Sequence, residues 1–233
     1  GSASFSLNNE GWFEMDSGNG GADKLGHLYS SYVIDEFLTH RLYQKSGDMS
    51  YSARSGAFYS FGLMFVVELF DGFSSDHGFS YEDLIMNTTG IGFSYLKNTV
   101  PSLAEKLDLR IEYHPSEANE GFHPVTDYSG MKYSVVTKLA GFNSLENTPL
   151  KYLELQLGYF VRGFKEGDEV QFKDKSSEIY FGLGADLQEL VFKPIMKRWD
   201  SKVVKWSNTL FRYYQMPGIY KSTTLNERAE PIN

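Results

Sequence analysis

The sequence predicts an α+β fold with an N-terminal apolar helical bundle, an antiparallel β-meander and a C-terminal amphipathic helix. Three observations predict it. Apolar residues recur at helical spacing up to about residue 108, then alternate with polar residues, and return to helical spacing near the C-terminus. We therefore expect an extended lead-in over residues 1–22, the bundle over 23–108, the meander over 109–192, and the amphipathic helix with a tail over 193–233.

The composition narrows the classes of function. The net charge is -8, with 22 Lys and Arg against 30 Asp and Glu, which argues against a nucleic-acid binder because such proteins normally present a basic face. The lack of cysteine excludes disulfides, thiol catalysis and zinc–thiolate sites. Aromatic residues make up 16 % of the chain, which suits a large core and also a membrane interface. The start Gly-Ser-Ala-Ser fits a removed signal peptide or the remnant of a tag.

The first helix is predicted from Asp23 to about Tyr43. Asp23 is the type of residue that caps a helix N-terminus. Apolar residues cover nearly the whole circumference of the first half, so that half should be buried or in contact with lipid. Asp35, Glu36, His40 and Arg41 then indicate an exposed C-terminal half.

Two further helices are predicted, over residues 51–72 and from Ser80 onward. No charged residue occurs from Gly56 to Val67, but this run is shorter than the roughly 20 residues that span a membrane. Its small residues would let another helix approach closely. Ser80 and Asp83 form a capping-box pattern at the start of the third helix, and Pro101 ends or restarts that helix.

Four strands are predicted, over residues 109–113, 131–142, 153–161 and 179–187. The last two alternate between apolar and polar residues, as half-buried strands do. They also have the length of outer-membrane strands, roughly 9–11 residues. The charged segment 165–177 between them is predicted to be a hairpin loop.

The last predicted helix is basic and amphipathic. Trp199 and Trp206 share one face of it, and Lys202 and Lys205 lie elsewhere on its circumference. Such a helix suits the surface of an anionic membrane. Docking of the helix on the sheet of the same chain is an equally good interpretation. The polar tail after Pro217 is predicted to be loose.

A polar constellation is predicted at one end of the bundle. Its members are Asp23, Lys24, His27, Glu68, Asp71, Asp83 and Asn87. They form pairs three or four residues apart, which share a helix face. The short connection between the second and third helices brings two pairs together, and an antiparallel first helix adds the third.

Three interpretations of this constellation stay open. It could be a satisfied polar network that fixes the helices, which we favour, because several members also serve as helix caps. It could bind a divalent metal, or it could supply a general acid and base. For both of the latter the candidates are His27, Glu68 and Asp83, and a site requires contact between His27 and Glu68. We expect no cofactor, with a divalent metal as the alternative; a looser metal site at His114 and His123 is disfavoured.

Some of these residues also carry a resemblance to a known family. They are Asp23, Lys24, His27, Glu68, Gly72, Ser74, Ser80, Asp83, Asn87 and Gly90. Over roughly residues 12–100 the chain resembles the YfiM-like family of predicted periplasmic lipoproteins. The shared pattern is Asp-Lys-x-x-His, then a Glu before a Gly-Phe-Ser turn, then Ser-x-x-Asp with a later Asn and Gly. A more distant similarity is to VanZ-like membrane proteins. The resemblance implies an exported protein of the periplasm or outer membrane and implies no activity.

The expected function is that of a non-enzymatic structural or scaffolding component of the bacterial cell envelope, associated with the outer membrane. Its partners would be membrane lipid or outer-membrane proteins, and it could form an oligomer or belong to a larger envelope complex. The alternative is a lipid- or cell-wall-acting enzyme, with or without a metal, that uses His27, Glu68 and Asp83.

Overall fold

A computed structural model describes residues 4–74, 78–117, 126–164, 167–168 and 171–228. The chain forms two compact units, Gly1–Pro101 and Ser102–Asn233. The first unit is helical and the second is built on an antiparallel sheet, so the predicted α+β fold is confirmed. His123 and residues 75–77 lie outside the described residues.

The predicted helices are present. They are α1 (Ala22–Ser46), α2 (Met49–Asp71), α3 (Tyr81–Thr99) and the short α4 (Pro101–Lys106). Ser80 caps α3, since its hydroxyl accepts from the Asp83 backbone N–H at 3.2 Å. The prediction that Asp23 caps α1 is wrong: Gly21, at φ 81°, precedes the helix, and the Asp23 carboxylate lies 3.1 Å from Lys24 Nζ.

The lead-in segment is tied to the turn before α3. Strand β1 (Leu7–Asn8) pairs in parallel with β2 (Phe79–Ser80). The Ser6 carbonyl also accepts from the Phe79 N–H at 2.9 Å. This pairing fixes the chain just before Glu10, which matters for the polar cluster described below.

The interior of the helical unit is polar. Asp35 and Glu36, predicted to be exposed, are 0 % and 8 % exposed, so the prediction is wrong for them, whereas His40 and Arg41 are exposed. Ser60 donates to Asp35 Oδ1 at 3.1 Å, and Asn98 donates to Glu36 Oε1 at 2.9 Å. Burial of these acids is tolerated because α2 and α3 supply hydrogen-bond donors.

Helix α2 packs through one narrow stripe. The buried members at four-residue spacing are Ser52, Gly56, Ser60, Met64 and Glu68. A side chain at Gly56 would collide with Thr39 of α1, so glycine permits the close approach there. The rest of the helix circumference is exposed and mostly apolar; Phe58 is 74 % exposed and Phe70 is 71 % exposed. In the described part of the chain, no helix is both long enough and apolar enough to cross a membrane.

The sheet has five strands, one more than predicted. They are β3 (Leu107–Tyr113), β4 (Met131–Lys138), β5 (Leu153–Arg162), β6 (Lys175–Ala185) and β7 (Ile219–Arg228). They lie in the order β3-β4-β5-β6-β7, and each is antiparallel to its neighbours.

The fifth strand corrects the prediction of a loose tail. Residues 219–228 pair with β6, and just before them the Gln215 N–H donates to the Ile111 carbonyl of β3 at 2.7 Å. The tail therefore bonds the free edge of β6 and also the outer edge of β3. The prediction failed because it equated polarity with disorder, whereas the Thr and Tyr residues of this tail suit a strand that covers an open edge.

The alternation in the sheet places the polar residues inside. On β5, Glu154 and Gln156 are buried, whereas Leu155 and Leu157 are exposed. Phe181, which pairs with Leu157 across β5 and β6, is 67 % exposed. The two predicted strands are thus half-buried, with the polar half inside.

The predicted C-terminal helix is broken into two short helices. They are α5 (Lys193–Met196), preceded by a π-helical turn over Gln188–Phe192, and α6 (Lys202–Leu210). Trp199 lies between α5 and α6, so it does not share a helix face with Trp206. The prediction of one continuous helix is therefore wrong, although a helix near the C-terminus is present.

Candidate functional site

One side chain from each of α1, α2 and α3 lies at the end of the bundle where the polar constellation was predicted. His27 Nδ1 lies 3.3 Å from Glu68 Oε1, and His27 Nε2 lies 3.8 Å from Asp83 Oδ2. A site was predicted here only if His27 and Glu68 are in contact, and this contact is present. We call His27, Glu68 and Asp83 the triad.

Two local features bring the triad together. Gly90, one turn after Asn87, lies against the backbone of α1, and a side chain there would collide with the Leu28 carbonyl. The Ser80 cap places Asp83 in the first turn of α3. Close packing of α1 and α3 and a fixed helix start therefore set the position of Asp83 opposite His27.

Glu68 is a buried carboxyl group with one amide partner. It is 1 % exposed, and Asn87 Nδ2 donates to its Oε1 at 3.1 Å. Burial, reinforced by the negative charges of Asp83 and Asp71, raises the pKa of Glu68 to about 7, although the Asn87 hydrogen bond opposes the shift. A carboxyl group with this pKa can gain or lose a proton near neutral pH.

Lys24 lies on the other side of Asp83. It is 1 % exposed, and its Nζ contacts Glu10, Asp23 at 3.1 Å and Asp83 at 2.8 Å. Burial alone would lower the pKa of Lys24, but hydrogen bonds to Asp83 and Glu10 and the charge of Asp23 raise it. The ammonium group is therefore the cation that holds these three carboxylates together.

His27 is half-buried between two carboxylates. Its Nδ1 is buried, and the approach to Glu68 does not have hydrogen-bond geometry. A ring held in this way can bind a cation through one nitrogen, or it can exchange a proton with either carboxylate.

Six of the seven predicted polar residues form a continuous chain of contacts. The chain runs from Asp23 through Lys24, Asp83, His27 and Glu68 to Asn87. Asp71, the seventh, ends α2 and acts on Glu68 only through its charge.

Glu10 and Glu82 also belong to this region but were not predicted from the sequence. Glu10 reaches Lys24 from the irregular lead-in, where no periodicity marks a contact. Glu82 is fully buried, and its Oε2 accepts from the Ser80 hydroxyl at 3.1 Å. The only sequence signal for Glu82 was its place in the capping-box segment, where the pattern indicated Asp83.

Two groups of described residues have the spacing of metal ligands. They are the triad and the set Glu10, Asp23 and Asp83. In the second set the Lys24 ammonium contacts all three carboxylates. The disfavoured site at His114 and His123 includes a residue, His123, that lies outside the described residues.

The four predicted membrane-interface residues are all exposed. Trp199 is 69 % and Trp206 is 67 % exposed, and Lys202 and Lys205 also face solvent. Lys205 makes an ion pair with Asp200. Their role at a membrane stays a prediction.

Comparison with known families gives one match. Residues 9–99 match the model of a family described as "Predicted periplasmic lipoprotein (DUF2279)". No curated protein and no solved structure matches the chain. The family description agrees with the periplasmic location that the resemblance implied, and the VanZ-like similarity stays a prediction. The matched segment includes every helix that contributes to the triad, so the helical unit of this chain is similar to the predicted periplasmic lipoprotein family.

Proposed function

We propose that this chain is a non-enzymatic, membrane-associated component of the bacterial cell envelope, held against lipid by apolar side chains that its units turn outward. The observation that carries the proposal is the packing of α2. Small and polar residues form its buried stripe, and aromatic and aliphatic residues form most of its exposed surface. Helices that pack in lipid use small residues at four-residue spacing in the same way.

The polarity of the sheet supports the same proposal independently. Its buried face carries Glu154 and Gln156, and its exposed face carries Leu155, Leu157 and Phe181. In water this arrangement is unfavourable, because contiguous apolar surface is left exposed while charged groups are buried. Contact with lipid removes the cost of exposing this apolar surface to water.

Vesicle co-sedimentation tests the proposal. Vesicles of phosphatidylethanolamine and phosphatidylglycerol should retain the full chain, and Phe58→Ser with Phe70→Ser should weaken retention at least tenfold. That estimate follows because burying one Phe side chain is worth about 1.5–3 kcal/mol. A matched control is Leu7→Ser, an exposed apolar residue of β1 outside the α2 surface, which should leave retention unchanged.

The same assay tests the C-terminal tryptophans. Trp199→Ala with Trp206→Ala should weaken retention on anionic vesicles, since both side chains are exposed. No retention of the wild-type chain would contradict the proposal as a whole. Unchanged retention of the tryptophan variant alone would remove only the role of this region.

A second candidate function is a lipid- or cell-wall-acting enzyme. The observation that favours it is the contact of His27 with Glu68, whose pKa of about 7 suits a general acid or base. Purified chain should then hydrolyse phospholipid vesicles or isolated peptidoglycan, and Glu68→Gln should abolish the turnover. Equal rates for wild type and variant would show that any turnover comes from elsewhere.

A further inference from the structure

We propose that the triad of His27, Glu68 and Asp83 binds one divalent first-row metal ion, for which Zn²⁺ is the best match. The inference concerns the interior of the helical unit and does not depend on whether the chain contacts lipid.

The first argument is geometric. One ligand atom from each triad residue lies within 4.8 Å of the others, and the three residues come from three different helices. Zinc holds nitrogen and oxygen ligands at about 2.0–2.2 Å, so its ligand atoms are roughly 3–4 Å apart. Small side-chain rotations would therefore bring the triad to binding distance without movement of the helices.

The second argument is the local charge. Glu10, Asp23, Asp83 and Glu68 bring four carboxylates to this end of the bundle; the Lys24 ammonium contacts the first three, and His27 lies beside Glu68. Buried carboxylates are unfavourable unless cations compensate them. A divalent ion beside Glu68 and Asp83 would supply the missing positive charge.

The third argument concerns the side-chain amide of Asn87, whose NH2 group donates a hydrogen bond while its oxygen accepts none from the described residues. Asn87 is fully buried and donates to Glu68 Oε1 at 3.1 Å, which fixes the orientation of that carboxylate. Its Oδ1 is buried and accepts no hydrogen bond from any described residue. An outer residue that orients a ligand carboxylate is typical of metal sites, and the amide oxygen is a further potential ligand.

The ligand types select the ion. An imidazole nitrogen with two carboxylates suits zinc and similar first-row ions, whereas Mg²⁺ and Ca²⁺ prefer oxygen ligands alone. The neighbouring set of Glu10, Asp23 and Asp83 is not proposed as a site, because the Lys24 ammonium already contacts all three carboxylates.

Metal titration of the full chain tests the proposal. After removal of metal with a chelator and removal of the chelator, calorimetry should give one Zn²⁺ per chain, and Co²⁺ should give a visible spectrum at the same stoichiometry. His27→Ala should weaken Zn²⁺ binding by more than Asn87→Ala. For Asn87→Ala we expect a loss of roughly 10–100-fold, as is typical for outer residues of metal sites.

A matched control separates the triad from surface binding. His40 lies on the same helix, is exposed and contacts Gln44, so His40→Ala should bind Zn²⁺ like wild type. Glu68→Gln preserves side-chain shape and guards against simple unfolding, with the helical fold checked by circular dichroism. The proposal is overturned if wild type binds neither ion stoichiometrically, if His40→Ala loses as much affinity as His27→Ala, or if folded Glu68→Gln binds like wild type.

Discussion

The two units bury charged side chains in different ways. In the sheet unit, four ion pairs among the described residues join charges of opposite sign on the buried face: Arg110 with Glu154 and with Asp108, Lys138 with Asp108, and Lys132 with Glu112. Arg110 Nη1 also donates to Gln215 Oε1 at 3.2 Å, which ties the tail to the strands. Each of these carboxylates thus has its own cation, and the network is accounted for by the fold that it stabilises.

In the helical unit the clustered carboxylates do not each have a cation of their own. Four carboxylates gather around Lys24 and His27, and Glu68 has a pKa raised to about 7 by burial and by the charges of Asp83 and Asp71. A group of this kind lowers stability at pH 8, where it must be ionised. The difference indicates that the sheet network is structural and that the helical cluster is kept for another purpose, since functional sites commonly lower stability.

The largest expected effect is in the sheet. Arg110→Met would leave Glu154 and Asp108 buried without the guanidinium group. Removing one partner of a buried pair costs about 3–5 kcal/mol, so the free energy of unfolding of the sheet unit should fall by that amount in urea denaturation. Arg198→Met, at an exposed arginine of the same unit, is the control and should change little. A loss below about 1 kcal/mol for Arg110→Met would show that the network is not structural.

Lys24→Met probes the unbalanced cluster in the same way. We expect the free energy of unfolding to fall by about 3 kcal/mol at pH 8, because Asp83, Glu10 and Asp23 lose their shared cation. Lys45→Met in the exposed last turn of α1 is the control. A loss no larger than that of Lys45→Met would show that these three carboxylates do not depend on the Lys24 ammonium.

A smaller effect is expected from Asp35, which lies deeper in the same bundle. Burial raises its pKa from 3.8 to about 6, reinforced by the charge of Glu36 and opposed by hydrogen bonds from Ser94 and Ser60. Because the folded-state pKa is the higher one, the stabilisation is complete below about pH 4 and is lost as the pH rises through 6. The loss amounts to about 2–3 kcal/mol.

Asp35→Asn tests this assignment. The stability of the variant between pH 4 and pH 7 should decline less steeply than that of wild type, as followed by chemical denaturation at each pH. Parallel curves for the two proteins would show that Asp35 does not titrate in the folded state.

The sequence predicted the helices well because their start and stop signals are local. Ser80 and Pro101 are where they were expected to act. The contact of His27 with Glu68 also followed from local spacing, once three neighbouring helices were assumed.

What the sequence did not predict depends on contacts far apart along the chain. Glu10 joins the cluster through a two-residue strand pair, and Asp35 is buried because Ser60 of another helix donates to it. The polar tail becomes β7 because β6 offers an open edge. The alternation of β5 identified a half-buried strand, but no property of the strand itself shows which half is buried.

The most direct test of the central claim compares two matched substitutions, Glu68→Gln and Glu154→Gln, in metal-free protein at pH 8. Both carboxyl groups are buried, and burial raises the pKa of each, but only Glu154 has its own arginine. We predict that Glu68→Gln raises the free energy of unfolding by about 1–2 kcal/mol, because an unbalanced buried charge is removed. Glu154→Gln should lower it by about 3 kcal/mol, because Arg110 loses its partner. If Glu68→Gln is as destabilising as Glu154→Gln, the helical cluster is a structural network like that of the sheet, and the account of it as a site is contradicted.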